Sequence, residues 1–327
     1  MVSLQESVII GVLVISLFAL QIEGGIAEVL RKSDNPLEAG SVEWSRDLED
    51  AIDKSGTTGT PVFALFQEIP GCVGCQTFGR EVLTNPLLVE AIETLFIPVL
   101  IYNNRPGGKD QEWLERYREP AWNFQVIRFF GGDGNDIIPR KDQVWSIGGV
   151  AARMVEVLKK LGRPVPHYLK ALMLEHDTDN HERIGFAMAC FWTGEYQLGR
   201  VEGVIATEAG WYDNREITLV TYHKELIALN ELVEYASSVR CAQRVYPFPG
   251  TAIDRNRFES KPLRLENYRS AKESDQKKQL EKWPEIKKIS SLTAMQATKI
   301  NSFAPDNHSQ SLEWLSPRQL SELGDLQ

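Results

Sequence analysis

Cysteine is scarce in this chain, and the scarcity is uneven. Only four occur in 327 residues, none before Cys72 and none after Cys241. So sparse a set excludes a disulfide-stapled scaffold, and with 43% apolar and 25% charged residues the chain can build a core without one. Histidine is equally thin: there are five, none at metal-ligand spacing, and His176 and His181 flank acidic loop positions. No cofactor or resident metal is therefore expected. Basic residues number 36 against 45 acidic, a formal charge of −9. That deficit argues against nucleic acid, whose phosphates favour a basic footprint. No internal repeat is evident. No apolar run reaches the ~20 residues of a comfortable membrane span.

The longest apolar run, residues 8–22, is interrupted only by Ser16 and Gln21. It suits a signal-peptide core, and Gly25 and Ala27 place small residues at −3 and −1 of a cleavage site. The segment ahead of it carries no Lys or Arg. An uncleaved segment would leave a membrane anchor, with Arg31 and Lys32 favouring a cytoplasmic body. The expectation is export, to a periplasm or outside the cell. Asn307-His308-Ser309 is a glycosylation sequon, meaningful only in a eukaryotic secretory chain.

Periodicity divides the rest. Residues 45–54 form an amphipathic helix pattern, 61–67 a buried strand, 76–83 and 87–95 helices broken at Asn85-Pro86, 96–102 and 125–130 further strands, and 150–161 a helix. A return strand is expected from Ile137-Ile138, and residues 162–166 read as a linker. Beyond it come a short helix, then strand, helix, strand, strand, helix and strand up to residue 246. After residue 247 the chain is highly charged, with two short helices expected, one over 292–302 and one opened by Ser316-Pro317. The organisation read here is residues 1–27 as signal peptide or anchor, 28–165 and 166–247 as two folded units, and 248–327 as an extension without a core of its own.

Cys72 and Cys75, in Gly71-Cys72-Val73-Gly74-Cys75, stand where a strand pattern gives way to a helix. A thiol at a helix N-terminus meets unpaired N–H groups that favour its thiolate. Cys72 would attack a disulfide and Cys75, one turn on, would resolve the mixed disulfide. A metal-ligand pair and a structural disulfide are the alternatives. A zinc site would need two more ligands, and no His or Cys lies near. The order of elements over about residues 40–163 resembles the thioredoxin fold. That family commonly has an aromatic before its first Cys, where this chain has Gly71. Its cis-proline position falls near Gln125, where there is no Pro.

Ala189-Cys190-Phe191-Trp192, with Glu195, Gly199, Gly203-Val204 and Thr207-Glu208-Ala209-Gly210, resembles peptide methionine sulfoxide reductase A over about residues 183–240. Asn214-Arg215-Glu216 matches the start of that family's acid-bearing strand. The arrangement of elements is the ferredoxin-like β-α-β-β-α-β order, which brings Cys190, residues 210–212, Glu216 and Cys241 to one sheet edge. The resemblance implies Cys190 as nucleophile and Glu216 as the acid delivering a proton to the sulfoxide oxygen, its carboxyl raised by burial. Phe191 and Trp192 would hold the S-methyl group, with Trp211 or Tyr212 standing in for a binding tyrosine. The product would be a Cys190 sulfenic acid that Cys241 condenses with. Departures are Ala189 and Thr193 in place of glycines, a missing loop before Glu216, and no C-terminal substrate-binding segment. The alternative is that Cys190 and its aromatics are core packing.

Together these readings give a thioredoxin-like unit followed by a ferredoxin-like unit and a helical extension. The function expected is an exported thiol oxidoreductase. It would reduce free or protein-bound methionine sulfoxide, with Cys72 and Cys75 recycling the second site at high effective concentration and a thiol–disulfide donor supplying electrons. The runner-up is a thiol–disulfide exchange or client-binding protein with a non-catalytic second unit.

Overall fold

The structure, a computed structural model, describes residues 29–30, 34–123, 125–249, 251, 260–289 and 292–325. The apolar leader, its cleavage site, Arg31 and Lys32 lie outside the described residues. Among the described residues no helix is long and apolar enough to cross a membrane.

The first sheet opens with two short strands, β1 (Val29–Leu30) and β2 (Trp44–Ser45). Asp47 then caps α1 (Leu48–Thr58) by accepting the Asp50 N–H, and Gly59 ends it in the left-handed region. β3 (Val62–Gln67) is buried along its whole length. α2 (Val73–Glu81) and α3 (Pro86–Leu95) follow, the second capped by Asn85 with Pro86 at its first position. β4 (Ile97–Tyr102), α4 (Gly108–Tyr117), β5 (Val126–Phe130), β6 (Lys141–Asp142) and α5 (Ile147–Lys160) complete this unit. The sheet order is β1-β2-β4-β3-β5-β6, with β3 parallel to β4 and antiparallel to β5. Alternation along β3 sends Phe63 and Leu65 to a face covered by α2, α3 and α5, and Val62, Ala64 and Phe66 to a face covered by α1 and α4.

Two details depart from expectation. The return strand forms at β6, while Ile138 is buried in the core and Asp136 makes only an isolated bridge to Phe130. α6 (His167–Glu175), expected to open the second unit, packs Tyr168, Leu169 and Leu172 into the first core.

The second sheet contains β7 (His181–Ala187), β8 (Val204–Tyr212), β9 (Arg215–His223) and β10 (Arg244–Pro247), joined by α7 (Phe191–Gly199) and α8 (Leu229–Ser238). With a short edge strand β11 (Arg269–Ser270), the order is β10-β7-β9-β8-β11, every neighbour antiparallel. α7 and α8 cover one face through Leu198, Leu232, Val233 and Ala236. Gly194 is where α7 comes closest, since a Cβ there would lie 2.1 Å from Thr218 Oγ1.

The extension has more core than its charge implied. Leu280, Trp283, Ile286 and Ile289 share a buried cluster with Ala171, Leu174 and Ile205, and with side chains of α9 (Ala294–Phe303), α11 (Pro317–Asp325) and the residues after the short α10 (His308–Leu312). The extension also ties itself to both units. Glu90 on α3 accepts from Ser316 Oγ at 2.6 Å and Arg318 N–H at 2.7 Å. Glu195 on α7, fully buried, accepts from the Lys277 N–H at 2.8 Å and the Lys277 ammonium at 2.7 Å.

Burial raises the Glu195 carboxyl above its ordinary 4.5, and the Lys277 charge opposes this. Lys277→Met leaves a buried carboxylate without its ammonium, and the expected loss is about 3–5 kcal/mol. A raised folded value means folding favours the protonated acid. The deficit should therefore be small in acid below the unfolded carboxyl range and grow as pH rises through it. Urea unfolding at acid and neutral pH checks both points; a midpoint equal to that of the parent at neutral pH would show that the ammonium contributes nothing.

Candidate functional site

Between β3 and α2 the chain reverses in five residues. A Cβ on Gly71 would lie 2.4 Å from Glu68 O and 2.7 Å from Cys75 Cβ, so nothing larger than glycine fits before Cys72. Asn104 and Arg105, just beyond β4, hold the turn. Asn104 Oδ1 accepts the Ile69 N–H at 3.1 Å, its Nδ2 donates to Pro70 O at 2.9 Å, and Arg105 Nε donates to Ile69 O at 3.3 Å. Buried Glu38 accepts the Gly71 N–H at 2.7 Å.

Cys72 is the N-cap residue of α2, with no side chain capping the helix. It is exposed, while Cys75 is fully buried, and their sulfurs lie 3.4 Å apart as free thiols. Burial first, then the neighbouring Cys72 and the charge of Glu68, push the Cys75 thiol well above its ordinary value. Gln125, near which the resemblance sets the family's cis-proline position, is buried and pairs with Val144 in both directions, at 3.1 and 3.0 Å. This anchors the neighbouring Trp145, whose ring meets Phe78 edge-on at 5.8 Å. Among the described residues the X-Pro bond that is cis is Ile69–Pro70.

Glu68 is the residue sequence reasoning missed. It is half-buried, and its carboxylate and the two sulfurs all lie within 4.8 Å of one another. The available signal was its place four residues before Cys72, on a turn that Pro70 and Gly71 fold back. A groove of about 780 Å³, lined by Arg105, Leu114, Arg118, Pro120 and Trp122, adjoins the same turn through Asn104 and Arg105.

In the second sheet, Cys190 is the N-cap residue of α7 and is half-buried. Glu216, near the start of β9, accepts the Phe191 N–H at 2.9 Å through Oε2. Trp211 faces Glu216 across the β8–β9 ladder, and its ring meets Phe191 edge-on at 5.5 Å. Asp213 and Asn214, both in the left-handed region, form the tight turn of that hairpin. The β7–β10 ladder ends at Arg244 opposite Ala187. Beyond it the Gln243 N–H donates to Ala187 O at 2.9 Å, out of step with that register, and the Cys241 N–H closes α8 on Ala236 O at 2.7 Å. Cys241 is buried among Ile184, Phe186, Met188 and Val245. Burial, helped by the charge of nearby Cys190, pushes its thiol up to about 11.

The structure thus gathers Cys190, Phe191, Trp211 and Glu216 at one edge with Cys241 beneath. Glu216 is half-buried, less enclosed than expected. Tyr212 does not join them. It is buried with Tyr246 and Leu263, its hydroxyl donating to Pro262 O at 3.0 Å and accepting the Arg264 N–H at 3.2 Å. Trp192 packs against Phe191, but its indole N–H donates to Asp275 O at 3.0 Å and the Lys278 ammonium sits over its ring.

No family model and no curated protein matches the chain. Among solved structures the chain is similar to one named DsbH oxidoreductase, over 39% of this chain and 90% of that one, with 18% identity and a TM-score of 0.31.

The four thiols should separate by accessibility and ionisation. With iodoacetamide at pH 8, peptide mapping should find Cys72 and Cys190 carboxamidomethylated first. Cys75 and Cys241, buried and held protonated, should react only on unfolding. Labelling of Cys241 as fast as Cys190 would place its sulfur at the surface.

Proposed function

We propose that this chain is a thiol–disulfide oxidoreductase acting through Cys72 and Cys75. The supporting observation is the pairing of an exposed thiol at an uncapped helix N-terminus with a buried thiol 3.4 Å away. Cys72 as thiolate attacks a disulfide sulfur of the substrate, forming a mixed disulfide and expelling one substrate thiolate. Cys75 gives up its proton and attacks Cys72 Sγ, releasing the second. The substrate gains two electrons and the chain is left with a Cys72–Cys75 disulfide, which an external dithiol must reduce. Residues 8–22 support export as the setting, with the mature chain starting at or near Glu28, a start that N-terminal sequencing reads directly.

Cys72→Ser should abolish reduction of a model protein disulfide. Cys75→Ser should accumulate the Cys72 mixed disulfide instead of turning over. Turnover retained in Cys72→Ser would overturn the proposal.

A second reading is favoured by the convergence of Cys190, Glu216, Phe191 and Trp211. In it Cys190 attacks a sulfoxide sulfur, the oxygen passes to Cys190 as sulfenic acid, and the thioether leaves. Cys241 then condenses with that sulfenic acid, releasing water, and the Cys72–Cys75 dithiol reduces the resulting disulfide. Reduction of methionine sulfoxide with a dithiol should be lost in Cys190→Ser and slowed ~10²–10⁴-fold in Glu216→Gln. Full turnover in Cys190→Ser would leave this edge without catalysis.

A further inference from the structure

Glu68, Cys72 and Cys75 offer a carboxylate oxygen and two sulfurs, all within 4.8 Å of one another. Ligands at about 2.3 Å for Zn–S and about 2.0–2.2 Å for Zn–O stand roughly 3.6–3.8 Å apart around a tetrahedral ion. The sulfurs are already at 3.4 Å. Cys75 is fixed in the core, whereas Cys72 is exposed and Glu68 half-buried, so these two are the members of the set with room to adjust towards an ion. The tight turn at Gly71, whose absent Cβ would strike Glu68 O, is what folds Glu68 back toward the cysteines.

We propose that the reduced motif also binds a zinc-type divalent cation. Cys72 and Cys75 hold it as thiolates and Glu68 through one oxygen, with the fourth position left to water or an incoming sulfur. Two sulfurs and one oxygen suit such a borderline ion, while calcium and magnesium favour oxygen alone. Binding releases the two thiol protons to solvent and transfers no electrons. The bound cation and a Cys72–Cys75 disulfide exclude each other, because both use the same two sulfurs. Occupancy would keep the dithiol out of exchange until the ion is removed.

The test is titration of the reduced full chain with Zn²⁺ against a chromogenic chelator. Co²⁺ serves as a spectroscopic probe for thiolate-to-metal charge transfer. One site per chain is expected, absent in Cys72→Ser, with Zn²⁺ protecting Cys72 from alkylation. Glu68→Gln should weaken it by at least the ~10-fold that removal of a ligand's hydrogen-bonded support costs. Affinity unchanged in Glu68→Gln, a site that persists in Cys72→Ser, or no stoichiometric binding would each overturn the proposal. Disulfide exchange is assayed in excess chelator, so failure of zinc binding leaves the exchange reading standing, and failure of exchange leaves the binding result intact.

Discussion

Everything chemical in this molecule hangs on the unpaired N–H groups at the start of a helix. The first turn of a helix has no internal acceptors and looks for an anion or a capping oxygen. Cys72 and Cys190 each occupy the residue just before such a turn, in extended conformation, a few residues beyond the end of a sheet strand. The two helices meet the demand differently. At α7 a carboxylate, Glu216, has taken the Phe191 N–H. At α2 no side chain caps the first turn, and the nearest acid, Glu68, stands beside the sulfurs. The helix end at Cys72 is therefore open to an incoming anion, while the one at Cys190 already carries one. That difference is why thiol exchange at the first site is the better supported reading.

The buried partner thiols follow the same division. Cys75 lies one helical turn from Cys72 on the inward side of α2, so its position is set by helix geometry alone. Cys241 comes near Cys190 by a different route, from the turn that leaves α8, where its N–H donates to Ala236 O at 2.7 Å. It joins Phe186 and Met188 in the cluster beneath α7 and α8. A pair brought together by two separate connections is less tightly fixed than a pair set by one turn of helix.

Much of this was legible in the sequence because its signals are local. The strand-to-helix switch at Cys72 and at Cys190 and the Ser316-Pro317 start are each written in a few neighbouring residues. What escaped was non-local or had an unfamiliar period. α4 was missed because it presents only Trp113 and Leu114 to the core along an otherwise polar stretch. The core of the extension was hidden because Leu280, Trp283, Ile286 and Ile289 recur every third residue. That is the period of the 3-10 turns found at Lys278–Lys282 and Ile286–Lys288, and neither helix nor strand templates detect it. Glu68 was overlooked for a related reason. Its role depends on a backbone reversal, not on its spacing from Cys72 along a helix.

The same extension explains how a shortened hairpin keeps its edge covered. β8 and β9 are joined by two residues, so the loop that the reductase resemblance leads one to expect is absent. Residues 268–278 occupy the neighbourhood instead. Tyr268 lies over Gly210 so closely that a Cβ there would sit 2.3 Å from its hydroxyl, and Arg269 stacks on Trp211. Gln276 brackets Ala209, accepting its N–H at 2.9 Å and donating to its carbonyl at 2.8 Å. Asp275 and Lys278 fix Trp192, and Lys277 reaches the buried Glu195 beneath α7. Each contact spends an edge hydrogen bond or an aromatic face that would otherwise meet solvent. The aromatics beside Cys190 are thus held from outside by the extension, whereas the turn at Cys72 is held by Asn104, just beyond β4, and Glu38, ahead of β2. Loosening residues 268–278 would expose Trp192 and Trp211 without disturbing Cys72, which makes the two thiol sites structurally separable within one chain.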